Sequence, residues 1–397
     1  MNRPAAGANA ATSAAPPKPP YGVLLVTGGH SHQESYGAGF AADSRCRIVG
    51  VSDEAGVDAR RAALNRSFAD QMKVPLLADL DEALRRPDVH IASVSTEHER
   101  QGRVALRCAR AAKHLYLDKP VAGSVEEADR LVDAVRMRGL RSQMFSQVHL
   151  PYAQRARRML ESGALGELRA IHCDLLFAKG WPAQELPAGP RRESYPPKRF
   201  LFPDVKRELF NIAVYSLAMI RWLTRREILS VRAVTANYFF QEHRSRDFED
   251  FGMLAITLEQ GLTATITAGR TGWMSHYGAG WVLTRLYGSR GSVLIDASRP
   301  RAEIAAESPA WSRPPRDPED PMGFWRSTQQ KAGLTARPEW LVAEAPAPSD
   351  QSLFIDCIEH SREAEVSVFD GAKIVEALFA AYLSAATGGV VTLPLPR

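Results

Sequence analysis

Lys119 sits in a string, residues 114–120, whose residue types could do chemistry. The apolar run His114–Leu117 reads as a strand. Pro120 forces the chain out of it, because proline offers no donor to a sheet ladder and restricts the residue before it. In α/β sheets, ligands bind beyond the carboxyl ends of the strands. A lysine fixed there, through a cis or a trans bond to Pro120, has its ammonium aimed into a cleft. Without partners it is only a solvated cation. Asn211 and Tyr215 are candidate partners, four residues apart on one face of the nearly all-apolar helix expected over 207–223. A polar pair inside a buried helix needs hydrogen-bond partners of its own.

The elements that must position these groups begin with a strand at 22–27, followed at once by Gly28 and Gly29 and then by a helix ending near Asp43. A second strand, 47–52, closes on Asp53, which lies 25 residues after Gly28 (53 − 28). Strand, glycine turn, helix, strand and terminal acid is the outline of a dinucleotide-binding βαβ unit. Amides at the helix start would hold a diphosphate, and the acid would bond ribose hydroxyls and repel a 2′-phosphate, favouring NAD over NADP. Gly28, Gly29, His30, Ser31, His32 and Asp53 are the expected cofactor contacts. The second and third glycine positions of the G-x-G-x-x-G pattern fall on His30 and Gln33, so the turn departs from the pattern. His30 and His32, two residues apart, are expected to line the cofactor or substrate mouth, with no metal.

Strand and helix then alternate regularly. A helix spans 59–71, a short strand 75–78, and Asp79 caps a helix to Arg86. A strand at 90–95 ends in Ser95, Thr96, Glu97 and His98, with Ser95, Thr96 and His98 expected at the cofactor beside Asp118. Ser124 and Glu127 have the spacing of a capping box, and 141–147 reads as a sixth strand. This alternation predicts a doubly wound parallel sheet. After Gly166 the period changes. Strands at 168–177, 228–240, 253–258, 262–268, 281–286 and 292–295 predict a second, α+β domain with a mostly antiparallel open sheet, closed by helices at 350–361 and 370–387 and a short strand at 390–393. The expected division is a disordered tail over 1–20, a first domain over 21–147 and a second over 148–397. Gln147 and His149 follow the sixth strand, Arg270 and His276 follow a late one, and all four are expected to touch substrate.

The 397 residues suffice for two cores, and 45% hydrophobic with 24% charged residues is ordinary for a globular chain. A net charge of +5, with acids and bases interspersed, gives no case for nucleic acid. The cysteines Cys46, Cys108, Cys173 and Cys357 lie far apart, as expected for reduced thiols in the cytoplasm. No window reads as a membrane span or a signal peptide.

Residues 112–120, the Arg221-Trp222-Leu223 helix end and the segments 370–373 and 385–388 together resemble the glucose–fructose oxidoreductase/inositol dehydrogenase (Gfo/Idh/MocA) family, with the likeness running over 21–397. Asp118 stands where that family's motif has glutamate. The resemblance implies a Rossmann domain joined to an α+β domain, a homodimer or homotetramer formed through the open sheet, and NAD- or NADP-dependent oxidation or reduction of sugars, cyclitols and related polyols. It implies that Lys119 contacts both nicotinamide ribose and substrate hydroxyl. Tyr215 stands at the acid/base position, as in the glucose–fructose oxidoreductase and dihydrodiol dehydrogenase branch, and Asn211 replaces the family's aspartate as a substrate-positioning group. Lys119 would then lower the Tyr215 phenol from about 10. Two other readings stay open: an enzyme that retains NAD for glycoside cleavage or epimerisation, and a non-catalytic binding or regulatory paralogue.

Overall fold

The computed structural model describes residues 19–183, 191–198, 205–273, 275–276, 280–297, 316–325 and 348–397. The expected tail up to residue 18 and most of the segment 306–347 lie outside them. Strands β1 (Tyr21–Val26), β2 (Cys46–Ser52), β3 (Leu76–Leu77), β4 (Ile91–Val94), β5 (His114–Leu117) and β6 (Ser142–Met144) form one parallel sheet in the order β3-β2-β1-β4-β5-β6. All six residues of β1 are buried, because helices cover both faces of the sheet. Strand order reverses between β1 and β4, which opens a crevice at their carboxyl ends. Val26 pairs with Ser52 and Val94, and Val94 pairs with Leu117. The next residues, Thr27, Asp53, Ser95 and Asp118, therefore share one edge.

Helices α1 (Gln33–Ala41), α2 (Ala59–Met72), α3 (Leu80–Arg85), α4 (His98–Arg110) and α5 (Val125–Arg138) link these strands. Asp58, Asp79 and Ser124 cap α2, α3 and α5 by accepting from the N–H groups of Arg61, Glu82 and Glu127. The expected capping box at Ser124 is only half made. The Glu127 carboxylate lies against α4, where a Cβ on Gly102 would stand 2.9 Å from its Oε2. The sixth strand is also shorter than expected, and Gln147, at φ 64°, is in a left-handed conformation that no strand accommodates.

The second sheet holds β7 (Leu168–Phe177), β8 (Ile228–Ala236), β9 (Phe251–Leu258), β10 (Thr263–Arg270), β11 (Gly280–Gly288), β12 (Ser292–Asp296) and β13 (Val391–Thr392), in the order β12-β11-β7-β10-β9-β8-β13. Only the β7–β10 pairing is parallel. β8 stops at Ala236 rather than at Phe240. The N–H groups of Tyr238, Phe239 and Phe240 donate to the Asp250 carboxylate instead of to a neighbouring strand. One face of this sheet is packed and the other open, so buried and exposed residues alternate along β9.

Helices α6 (Pro151–Glu161), α7 (Val214–Thr224), α8 (Gln241–Ser245), α9 (Asp350–Glu359) and α10 (Val368–Thr387) complete the described elements. The helix expected over 207–223 enters through one π-helical turn, Leu209–Ala213. Such wide turns are frequent at functional sites. The last two helices fold back on the first half of the chain. Phe354, Ile355 and Ile358 of α9 join Tyr21, Phe40 and Tyr116 in one core cluster. A larger cluster runs from β4 and β5 through α10 to β8 and β9. The two sheets are thus held against each other by shared apolar packing, which fixes the cleft between them. The four cysteines are unpaired, and three of them are buried.

Candidate active site

A cleft of about 680 Å³ opens between the carboxyl edge of the first sheet, the π-helical turn and residues 319–325. Lys119, with a cis bond to Pro120, reaches into it from the end of β5 and is 3% exposed. Its ammonium donates to the main-chain oxygen of Asn211 at 2.6 Å and to Asn211 Oδ1 at 2.7 Å, and lies 4.8 Å from the Tyr215 ring centre. Burial pulls the Lys119 pKa down to about 7. Asp118 and Glu208 oppose that shift, while Lys206 and Arg270 add to it.

Glu208 is the group that the sequence reading missed. It is fully buried, accepts from Asn211 Nδ2 at 2.9 Å, and bonds Arg270 Nε at 3.1 Å. Burial would raise its pKa, but Arg270 and His243 hold the carboxylate well below the usual range. By fixing the Asn211 amide, Glu208 turns the amide oxygen toward Lys119. An acid three residues before Asn211 was the available signal, since the pair falls within one helical turn. The negative charge that an aspartate at 211 would have supplied is present three residues earlier, behind an amide.

Asp118 organises the other side. Its Oδ1 accepts from His32 Nδ1 at 2.9 Å, the Tyr36 hydroxyl at 2.8 Å and the Lys119 N–H at 2.8 Å, and its Oδ2 accepts from Ser95 at 3.1 Å. The expectation for Tyr215 is corrected: burial and the Asp118 charge push its phenol well above 10, so it stays protonated. The group that titrates near neutrality is Lys119 itself.

Ser31, His32, Lys119, Gln147, Asn211, Tyr215 and Arg270 line this one cleft. His149 lies elsewhere, in a separate cleft with its Nε2 3.6 Å from Asp350. His276 is buried edge-on to Trp281, 4.8 Å between ring centres. His98 packs on Phe210, and Thr96 is bonded to Gln101. Lys206, Phe324 and Trp325 line the cleft unforeseen. The Lys206 ammonium lies 4.6 Å from the Trp325 ring centre, and Arg270 lies 3.8 Å from that of Phe324. Among the described residues no group of three or more His, Cys, Asp or Glu could hold a metal ion.

The residues fit a nicotinamide dinucleotide differently at its two ends. At the Lys119 end the cleft is open, with the α1 N-terminus, Ser31 and His32 beside it. At the Asp53 end, side chains from α2 and α4 fill the edge. His30 stands at the second glycine position with φ 54°, a left-handed conformation that glycine adopts more readily. Gln33, at the third, is buried and bonds Ser93 through both ends of its amide.

Two family models match the chain. The oxidoreductase family with an NAD-binding Rossmann fold matches residues 22–146, and the GFO/IDH/MocA C-terminal domain matches residues 153–294. An uncharacterized oxidoreductase, YrbE of Bacillus subtilis, is 22% identical over 60% of this chain and 65% of its own length. Levoglucosan dehydrogenase of Pseudarthrobacter phenanthrenivorans is 21% identical over 54% of this chain and 57% of its own. The chain thus spans less than two thirds of these curated relatives. The solved structure of scyllo-inositol dehydrogenase from Lactobacillus casei, with bound NAD(H) and scyllo-inositol, has the same fold, with a TM-score of 0.67 at 14% identity over 94% of this chain and 98% of that one.

Proposed function

The chain belongs to the Gfo/Idh/MocA oxidoreductase family, and from that premise we propose that it interconverts a carbinol and its ketone on a sugar, cyclitol or related polyol, with NAD as partner. The carrying observation is the Lys119 ammonium, buried, titrating near 7, and held by Asn211, which Glu208 fixes, beside Tyr215 in an open cleft. Ser31, His32 and Lys119 are the residues that would hold the nicotinamide half, with Asp118 behind them positioning His32 and Lys119, and a bound nicotinamide would exchange the hydride. Lys119, deprotonated, takes the substrate hydroxyl proton during oxidation, and as an ammonium returns it during reduction. The Tyr215 phenol donates a hydrogen bond to the same oxygen. Arg270, fixed by Glu208 and Phe324, and Gln147 border the space left for the rest of the substrate. A panel of polyols and sugars with NAD, followed by reduced-nicotinamide absorbance, tests this; no turnover across the panel counts against it.

Tyr215→Phe removes one hydrogen bond and no titrating group. Turnover is expected to fall about tenfold, the equivalent of roughly 1.4 kcal/mol, with the pH midpoint near 7 unchanged. A loss of that midpoint in pH–rate profiles would return the acid/base role to the phenol.

The same reading covers assembly. On the open face of the second sheet Val234 and Met253 are cross-strand partners, 55% and 47% exposed. An apolar pair so placed suits a second copy of the chain. Light scattering is expected to find a dimer or tetramer that Val234→Glu with Met253→Glu converts to monomer, and a monomeric parent protein would end this part of the proposal.

A further inference from the structure

In doubly wound sheets the acid ending the second strand is available to the adenosine ribose, and the glycine turn lets the diphosphate approach. Here Asp53 is 6% exposed, and both of its oxygens are already engaged. Oδ1 accepts from the Glu54 N–H at 2.8 Å and Arg100 Nη1 at 2.5 Å. Oδ2 accepts from the Thr27 hydroxyl at 3.1 Å, Asn65 Nδ2 at 2.7 Å and Arg100 Nη2 at 3.1 Å. A carboxylate has about four lone-pair positions, and five donors address this one. No position remains for a ribose diol.

The surroundings hold that arrangement in place. Arg100 Nε also bonds Glu97 Oε2, whose other oxygen accepts from Arg61 Nε at 2.9 Å. Arg61, 2% exposed, extends its Nη1 to the carbonyl of Gly29 at 2.6 Å. Helix α2 therefore lies directly on the glycine turn. A Cβ on Gly28 would stand 2.6 Å from the Asn65 Cα, so that glycine makes room for a helix rather than for a diphosphate. On the outer side His30 stacks on Trp325, and Arg60 bonds the Glu319 carbonyl.

We propose that the adenosine seat of this Rossmann sheet is closed from within, with Arg100 as the closing residue, so that the adenosine half of a dinucleotide adds no affinity. The inference rests on the nicotinamide reading only for what the open half of the cleft binds. It also withdraws the charge argument for NAD over NADP, since Arg100 compensates the Asp53 carboxylate.

Calorimetric titration of the full-length protein with NADH, reduced nicotinamide mononucleotide, ADP-ribose and AMP tests it. NADH and the mononucleotide are expected to bind within about threefold of each other, with no heat from ADP-ribose or AMP. NADH binding more than about thirtyfold tighter, or ADP-ribose binding at all, overturns the closure and leaves the oxidoreductase reading intact. Silence from all four ligands upholds the closure and ends the oxidoreductase reading instead. Arg100→Met leaves Asp53 three donors and leaves Glu97 its Arg61 partner, and ADP-ribose binding is expected to appear in it. A folded Arg100→Met protein that still ignores ADP-ribose overturns the assignment to Arg100.

Discussion

Replacing Lys119 with methionine is expected to lower turnover on the order of a thousandfold, within the range that positioned acid/base groups contribute. Methionine keeps the buried stem and removes the charge bonded to the Asn211 amide oxygen. The pH dependence gives the sharper reading. Burial draws the Lys119 pKa to about 7 against the opposing charges of Asp118 and Glu208, so both protonation states are populated near neutrality. Oxidation needs the neutral amine and should rise through pH 7. Reduction needs the ammonium and should fall through the same midpoint. Both limbs should vanish in Lys119→Met. Lys119→Arg should fail to restore oxidation, because a guanidinium does not give up its proton in this range. Retention of a tenth of the turnover with the midpoint in place would remove Lys119 from the mechanism.

The second large effect is on stability. Asp53→Ala is expected to cost about 3–5 kcal/mol, because it leaves buried Arg100, Asn65 and Thr27 without a shared acceptor. An acid that merely awaited a ribose would cost well under 1 kcal/mol, as exposed polar positions do. Urea unfolding of the two proteins separates these outcomes. Glu97 belongs to the same network. Burial alone would raise its pKa, but Arg100 and Arg61 hold it at about 2, which marks the pair as a working part of the cluster. A small loss in Asp53→Ala would mean that the carboxylate is not the hub described above.

Much of this arrangement follows from the chain read alone. The parallel sheet, its carboxyl edge, Lys119 and the Asn211–Tyr215 helix are encoded by local signals: buried apolar runs, Pro120, and helical spacing. The second sheet is legible in the same way, although β8 ends early because Asp250, ten to twelve residues away in sequence, captures three of its N–H groups. Local patterns carry such information because strand and helix periods are properties of neighbouring residues.

The site's electrostatics had no such signature. Asp53 has the sequence position of a ribose ligand, but Arg100, 47 residues later, holds both of its oxygens. The expected lowering of the Tyr215 phenol gives way to a rise, because burial, a property of the whole fold, is the largest influence on both Tyr215 and Lys119 and moves each toward its neutral form. Sequence by itself determined which residues reach the strand ends. Only the tertiary structure decided which of them face an open cleft and which are spent on one another, since that depends on contacts between residues far apart in the chain and on the water those contacts exclude.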